Sequence, residues 1–314
     1  MTPAKRLKHT MSNVICIMGP TATGKTDLAL ALAEKHDIEI ISVDSAMVYR
    51  SMDIGTAKPD QSTLQKIPHH LIDIRQPWEP YSAADFSREA AKAIEIIIDK
   101  GHTPLLVGGT MLYFKALQQG LAELPEADEH VRNDLLKEAK TKGWEALHDE
   151  LKEVDPKAAQ RIHPNDPQRL QRALEVYRIT GQPLSALLEK QGSKKSPYNY
   201  INIALDIDRK ILHKRIEQRF KKMLDEDFVE EVKKLYAHPQ IHEQLPAIKS
   251  LGYQQVWLYL DGKYTYDEMV EKTVIATRQF AKRQFTWLRA WSNITWFNAL
   301  DEHLVPKVES ALKW

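Results

Sequence analysis

One cysteine in 314 residues, Cys16, leaves no partner for a disulfide and too few thiolates for a cysteine-based zinc site. That scarcity fits a reducing compartment. No apolar run approaches the roughly 20 residues a membrane helix needs. The run VICIM, Val14 to Met18, is too brief for a signal-peptide core, and the basic start MTPAKRLKHTMS reads as a frayed tail. A cytoplasmic protein with no membrane contact is therefore expected. Bulk charge is also missing. The formal net charge is +1, so total charge predicts no polyanionic partner. No internal repeat or low-complexity segment interrupts the chain. What remains is an ordinary globular composition, 43% hydrophobic and 28% charged, with length for one large domain or two modest ones.

The charge is unevenly spread. No acid occurs from Lys272 to Leu300, a stretch that holds Lys272, Arg278, Lys282, Arg283 and Arg289. From Arg209 to Lys222, seven basic residues face one acid, Glu217. Arg215, Arg219 and Lys222 fall on one helical face, as do Arg278, Lys282 and Arg289. Phe280, Phe285, Trp287 and Trp291 are interleaved with the latter, and aromatics at that spacing are usually core. Arg169 and Arg172 stand beside Gln168 and Gln171. Such faces are either solvated helix surfaces or sites for an anionic ligand.

Strand and helix alternate through the first part of the chain. NVICIM, IEIISV and TPLLVGGT read as buried strands; KTDLALALAEK, SAADFSREAAKAIEIIIDKG and MLYFKALQQG read as helices. Ser82 is a natural N-cap, and Gly101 a natural stop, for the second of these. This predicts an α/β layer on a parallel sheet. The pattern then becomes helical only, until YINIALDI returns as a strand after the polar exit QGSKKSPYN. Helices from Asp208, a linker around HPQIHEQLP, a long helix from Tyr266 to Trp291, and a last strand at NITWF complete the reading. The expected domains are 12–123 as the first part of the core, 124–196 as a helical insertion, and 197–314 as the return strand with C-terminal helices.

GPTATGKT, comprising Gly19, Pro20, Thr21, Ala22, Thr23, Gly24, Lys25 and Thr26, matches the phosphate-loop pattern in full. The glycines let backbone N–H groups turn around phosphate oxygens, and the helix that follows adds its positive end. Lys25 would neutralise charge and Thr26 could ligate Mg²⁺. The pattern specifies a diphosphate or triphosphate but not a nucleotide. Asp44 ends the second strand, on the edge where ligands bind in open α/β sheets. Position alone leaves it a turn or N-cap aspartate, a base, or a carboxylate that holds a metal through water. Thr110 ends another strand on the same edge, as an N-cap or a substrate contact. Gly108 and Gly109 let backbone approach closely there.

These residues resemble one known family. MGPTATGKT, ISVDSAMVYR, DIGTAKP, PHHLIDI, YSAADF, LLVGGTMLYFKAL, HPNDPQRLQRALEVY, RIEQRF, SLGYQQ and TRQFAKRQFTWLR occur in the order seen in bacterial tRNA dimethylallyltransferases, also called tRNA isopentenyltransferases. The resemblance runs from about Val14 to Trp296. Thr23 departs mildly, since serine is commoner there, at a position that contributes mainly backbone. The resemblance implies a P-loop, kinase-like fold. It also implies transfer of a dimethylallyl group from dimethylallyl diphosphate to N6 of the adenosine just 3′ of the anticodon. The tRNAs are those reading codons that begin with U. It implies Mg²⁺ with the diphosphate at the loop, a monomer, and no C-terminal zinc finger. In its light, Asp44 is the expected base, Thr110 would orient Asp44 or the donor's bridging oxygen, and Arg219 would stabilise the leaving diphosphate. Expected tRNA contacts are Asp44, Ser45, Ala46, Met47, Thr110, Arg132, Gln168, Arg169, Leu170, Gln171 and Arg172. Lys249, Ser250, Leu251, Gly252, Tyr253, Gln254, Arg278, Lys282, Arg283, Gln284 and Arg289 complete that set. The rivals are an ATP-dependent nucleoside or metabolite kinase, an adenylate isopentenyltransferase acting on free AMP, and a non-catalytic RNA-binding P-loop module.

Overall fold

The computed structural model describes residues 12–122, 124–190 and 196–314. The expected frayed start, Glu123 at the end of the expected first core segment, and the QGSKK part of the polar exit lie outside the described residues. Two compact units are present, one made of Met1–Gln118 with Ser196–Trp314 and the other of Gln119–Lys195.

The larger unit holds a parallel sheet of six strands: β1 Asn13–Met18, β2 Ile38–Val43, β3 His69–His70, β4 Thr103–Gly108, β5 Asn199–Asp206 and β6 Ile294–Asn298. Their order is β3-β2-β4-β1-β5-β6, which makes every connection a crossover. All six residues of β2 and the last five of β1 are buried, as expected of strands covered on both faces. One apolar cluster gathers Val14, Cys16, Ile41, Val43, Leu106 and Phe114 on one side of the sheet. A second gathers Ile15, Ile17, Leu32, Ile40 and Leu105 on the other.

Register positions the chemistry. Met18 of β1 pairs with Gly108 of β4, and Gly108 pairs with Val43 of β2. Three strands thus stop level with one another. The residues that follow them, Gly19, Asp44 and Gly109–Thr110, emerge on one edge. The alternation read in the sequence produces this edge. The predicted Ser82 cap is present with its reciprocal Asp85 partner, and Gly101 has φ of 81° just past the Ala83–Asp99 helix. The helix Tyr266–Arg289 starts at an equivalent Thr265–Glu268 box.

Sequence reading missed several elements. β3 has only two residues, too few for any period to show. Helices Gln61–Lys66, Tyr253–Leu260 and Leu304–Leu312 were also unanticipated. The first is one turn and a half, the second lies within a stretch dense in aromatics, and the third carries Pro306 in its first turn.

The smaller unit has its own core, with Leu135, Leu147, Leu151, Leu170 and Leu174 packed together. Its helices include Glu129–Lys142, Trp144–Val154 and Pro167–Thr180. Glu175 is fully buried within it and accepts from Asp128 N, Arg132 Nε and Arg172 Nη1. These donors outweigh the burial that would otherwise raise its carboxyl, and hold it below the ordinary range.

A Cβ on Gly108 would lie 2.0 Å from the carbonyl oxygen of Val43. Gly108→Ala must therefore part β2 from β4, and a stability loss of about 2 kcal/mol or more is expected in denaturant titration. An unchanged midpoint would contradict the tight register at this edge.

Candidate active site

The phosphate loop joins β1 to the helix Lys25–Ala33. Its turn needs left-handed backbone at Ala22, with φ of 62°, and at Gly24, with φ of 90°. Glycine adopts this at no steric cost, whereas alanine does so under strain, a common mark of ligand-binding turns. Thr23 is buried, and its hydroxyl donates to Pro20 O at 2.8 Å, locking the loop from within. Lys25 Nζ donates to the same carbonyl at 2.6 Å. The Thr26 side chain is exposed at the helix start.

Gln284 braces this loop from the long helix. Its Oε1 accepts from Thr21 N at 3.0 Å and its Nε2 donates to Gly109 O at 2.8 Å. It is 3% exposed, so both ends of the amide are committed inside the protein. One side chain thereby fixes the phosphate loop relative to the turn carrying Thr110. The resemblance implied a tRNA contact for Gln284; the structure makes it a buried strut between the two loops.

Asp44 meets the turn-forming reading left open by its position. Its Oδ1 accepts from Ala46 N at 2.8 Å and Met47 N at 3.3 Å, which shapes the turn. Among the described residues no hydrogen bond ends on Oδ2. Thr110 Oγ1 accepts from Ser45 N at 3.1 Å, so Thr110 fixes the residue next to Asp44 and is not bonded to Asp44 itself. Arg219, on the helix Arg209–Asp225, donates from Nη2 to Thr56 O at 3.3 Å.

These groups face one cavity of about 1440 Å³ within the larger unit. Lys25, Thr26, Asp44, Thr110 and Arg219 all line it. Burial lowers the Lys25 ammonium to about 7; Arg219 adds to the fall and Asp44 opposes it. Burial likewise lowers Arg219, against Asp44 and Asp27. Lys25, Arg219, Asp44 and Asp27 therefore form one electrostatic group on the cavity lining. Its apolar wall includes Ile54, Phe220, Met223, Phe228 and Phe280. Reading residues one at a time missed these, along with the loop Asp53–Lys58; DIGTAKP was quoted as a motif and given no role.

The remaining expected contacts divide. Ser45, Ala46, Met47, Lys249, Ser250, Leu251, Gln254 and Arg283 line the cavity. Gly252 and Tyr253 line it too, yet Tyr253 is fully buried and Gly252 has φ of 87°, so both serve the turn and the packing. Leu170 is fully buried in the core of the smaller unit, which removes its side chain from any RNA. Arg132 and Arg172 are held by Glu175, and Gln171 Nε2 donates to Arg132 O at 3.2 Å. Gln168 and Arg169 are exposed. On the long helix Lys282, Arg283 and Arg289 are exposed, whereas Arg278 is half-buried and pairs with Glu217 at 3.3 Å. Arg283 and Arg289 lie over the rings of Phe280 and Phe285.

Sheet order and loop define a P-loop α/β protein. Residues 47–291 match the IPP transferase family model. The tRNA isopentenylpyrophosphate transferase of Bacillus halodurans is 38% identical, with 96% of each chain covered and a TM-score of 0.71. The tRNA delta(2)-isopentenylpyrophosphate transferase of Staphylococcus epidermidis is 33% identical over 96% of this chain and 99% of that one, with a TM-score of 0.69. A eukaryotic dimethylallyltransferase acting on tRNA is 27% identical, covering 96% of this chain and 78% of that one, with a TM-score of 0.77. The chain belongs to the IPP transferase family. The family match begins beyond the phosphate loop, so the loop's role rests on its own geometry and on the whole-chain likenesses.

A lysine at about 7 is largely neutral at pH 8. A bound diphosphate favours the ammonium and raises it, so binding at pH 8 should take up a proton. Affinity should accordingly fall as pH rises through about 7 and beyond. Calorimetry in buffers of different ionisation heat reads this directly. The uptake should vanish in Lys25→Met; uptake that persists there would assign the proton elsewhere.

Proposed function

We propose that this enzyme transfers a dimethylallyl group from dimethylallyl diphosphate to N6 of the adenosine 3′-adjacent to the anticodon, in tRNAs reading codons that begin with U, and releases diphosphate. The observation that carries this reading is the meeting of Lys25, Arg219 and Asp44 in one cavity of a chain that belongs to the IPP transferase family. The same chemistry names the ligands: an anion with several charges on one side, and a group that must lose a proton on the other.

The exocyclic amine of adenine is a weak nucleophile because its lone pair is delocalised into the ring. As the bond from N6 to the allylic carbon forms, the bond from that carbon to the diphosphate oxygen breaks, and N6 gives up a proton. Asp44 Oδ2 receives it. Such general-base help is worth roughly 10²–10⁴-fold. Negative charge grows on the departing diphosphate, where the loop N–H groups, Lys25 and Arg219 stabilise it. Preorganised charges of this kind tend to be the largest contribution. Thr110 holds Ser45, and with it the start of the turn that aims Asp44. The apolar wall of the cavity suits the five-carbon chain.

A divalent ion fits the donor chemistry. Among the described residues no group of three or more acidic, histidine or cysteine side chains gathers to cage a metal. Mg²⁺ commonly keeps several waters and binds through substrate phosphates with one or two protein oxygens. The exposed Thr26 hydroxyl beside the loop would hold it. When bound, Mg²⁺ would neutralise diphosphate charge.

The adenosine must leave its stack, at a cost of a few kcal/mol. Exposed cations on the long helix (Lys282, Arg283, Arg289) would hold the anticodon stem-loop and offset that cost. Gln168 and Arg169, exposed on the smaller unit, are tRNA contacts in their own right in this reading. We take the working state to be a monomer in the cytoplasm. Among the described residues no helix is long and apolar enough to cross a membrane. Family membership disfavours the kinase reading, and the tRNA-directed relatives disfavour free AMP as acceptor.

Incubation with Mg²⁺, labelled dimethylallyl diphosphate and an anticodon stem-loop should place label on the RNA, with little on free AMP and no phosphate transfer from ATP. Prenylation mainly of AMP would overturn the acceptor assignment, and phosphate transfer would overturn the reaction class. Asp44→Ala should cut turnover by about 10² or more while RNA affinity holds; equal damage to both would make Asp44 a binding residue. Lys282→Ala should weaken RNA binding and reduce its salt slope by roughly one unit. An unchanged slope would return that face to solvent.

A further inference from the structure

The loop Asp53–Lys58 contributes six consecutive residues to the cavity, yet the description above draws only on Ile54, in the apolar wall, and on the Thr56 carbonyl that receives Arg219. What shapes this loop is a carboxylate outside every motif singled out in the sequence. Glu231, on the helix Phe228–Tyr236, accepts from Asp53 N at 2.9 Å and Ile54 N at 2.8 Å through Oε2. Its Oε1 accepts from Gly55 N at 3.2 Å and from Tyr253 Oη at 2.6 Å. Three successive backbone N–H groups converge on one anion, the arrangement that in other loops binds phosphate. Here the protein fills it with its own side chain.

The packing around this clasp is tight. A Cβ on Gly55 would lie 2.1 Å from the Phe228 ring, so the loop can reach Glu231 only with glycine there. Phe228 and Tyr253 meet edge to face at 5.0 Å and are both fully buried. The Glu231 carboxylate thus ties three cavity-lining segments together: the Asp53–Gly55 turn, the Phe228 helix start and the Gly252–Tyr253 turn. The next residue after the clasped turn is Thr56. Its hydroxyl donates to Met52 O at 2.8 Å, which closes the loop, and its carbonyl receives Arg219. An arginine is a long side chain with many rotamers, and Arg219 makes no other hydrogen bond among the described residues. Thr56 O is therefore the hydrogen-bonded anchor of the guanidinium, alongside the pull of Asp44 and Asp27.

We propose that Glu231 is a positioning residue for the reaction, acting through the Asp53–Thr56 loop to aim Arg219 at the leaving diphosphate. This rests on the proposed role of Arg219. Charge-assisted bonds from backbone N–H groups are strong and directional, so one carboxylate suffices to hold the turn.

A double-mutant cycle tests it, with single-turnover prenyl transfer, donor KM and stem-loop affinity measured for each variant of the full-length protein. Arg219→Ala should itself slow transfer by about ten-fold or more; if it does not, the role given to Arg219 fails, and with it this proposal. Glu231→Ala in the otherwise unaltered enzyme should also lower kcat/KM for the donor about ten-fold, with stem-loop affinity within about two-fold. In the Arg219→Ala background the same substitution should cost under about three-fold, because the group it aims is gone. Equal losses in both backgrounds would make Glu231 a general structural residue and overturn the positioning role while leaving Arg219's intact. Glu231→Gln keeps one acceptor oxygen and should fall between the two. Should Glu231→Ala fail to fold, the cycle is run with Glu231→Gln, where additive losses overturn the proposal in the same way.

Discussion

Lys25 and Arg219 are two basic groups held partly out of water on the lining of one cavity, and the rest of the site is arranged around that desolvation. Burial depresses both, each against the pull of Asp44. Asp44, with Asp27 beside Arg219, offsets that burial only in part, and a ligand with several negative charges would offset more. The sheet register makes the arrangement possible. β1 delivers Lys25, β2 delivers Asp44 and β4 delivers Thr110 because Met18, Val43 and Gly108 end level. Gln284 then ties the loop after β1 to the turn after β4.

Much of this was legible in the residues. The phosphate loop is readable because its constraints are local: two glycines, a lysine and a threonine at fixed spacing between strand and helix. Asp44 and Thr110 follow from strand ends in an alternating α/β pattern. The Ser82 cap and the Gly101 stop are likewise short-range features. Gln284 and Glu231 were not legible in their actual roles. Gln284 acts on Thr21 and Gly109, and Glu231 on the Asp53–Gly55 turn, across sequence separations of more than 170 residues. No period or spacing encodes such pairings; only the folded sheet brings them together. β3, with two residues, falls below what a hydrophobic pattern can resolve.

Family motifs also do not sort residues that touch a ligand from residues that hold the shape. Within the HPNDPQRLQR segment, Gln168 and Arg169 are exposed, Leu170 is core, and Arg172 is committed to the buried Glu175. Within KSLGYQ, Lys249 is exposed while Tyr253 donates to Glu231, and burial and that carboxylate together push its phenol well above the ordinary value. Each such segment thus mixes exposed side chains with packed ones, and only the folded structure tells them apart.

The central claim is a division of labour: Lys25 and Arg219 hold the diphosphate, and Asp44 serves the acceptor. The affinity for inorganic diphosphate, measured without divalent metal as single charges are removed, tests this most directly because the expected signs differ. Lys25→Met and Arg219→Ala should each weaken binding by about ten-fold or more. Asp44→Asn removes a neighbouring negative charge and should leave binding unchanged or tighter. A loss in Asp44→Asn equal to that in Lys25→Met would contradict the account.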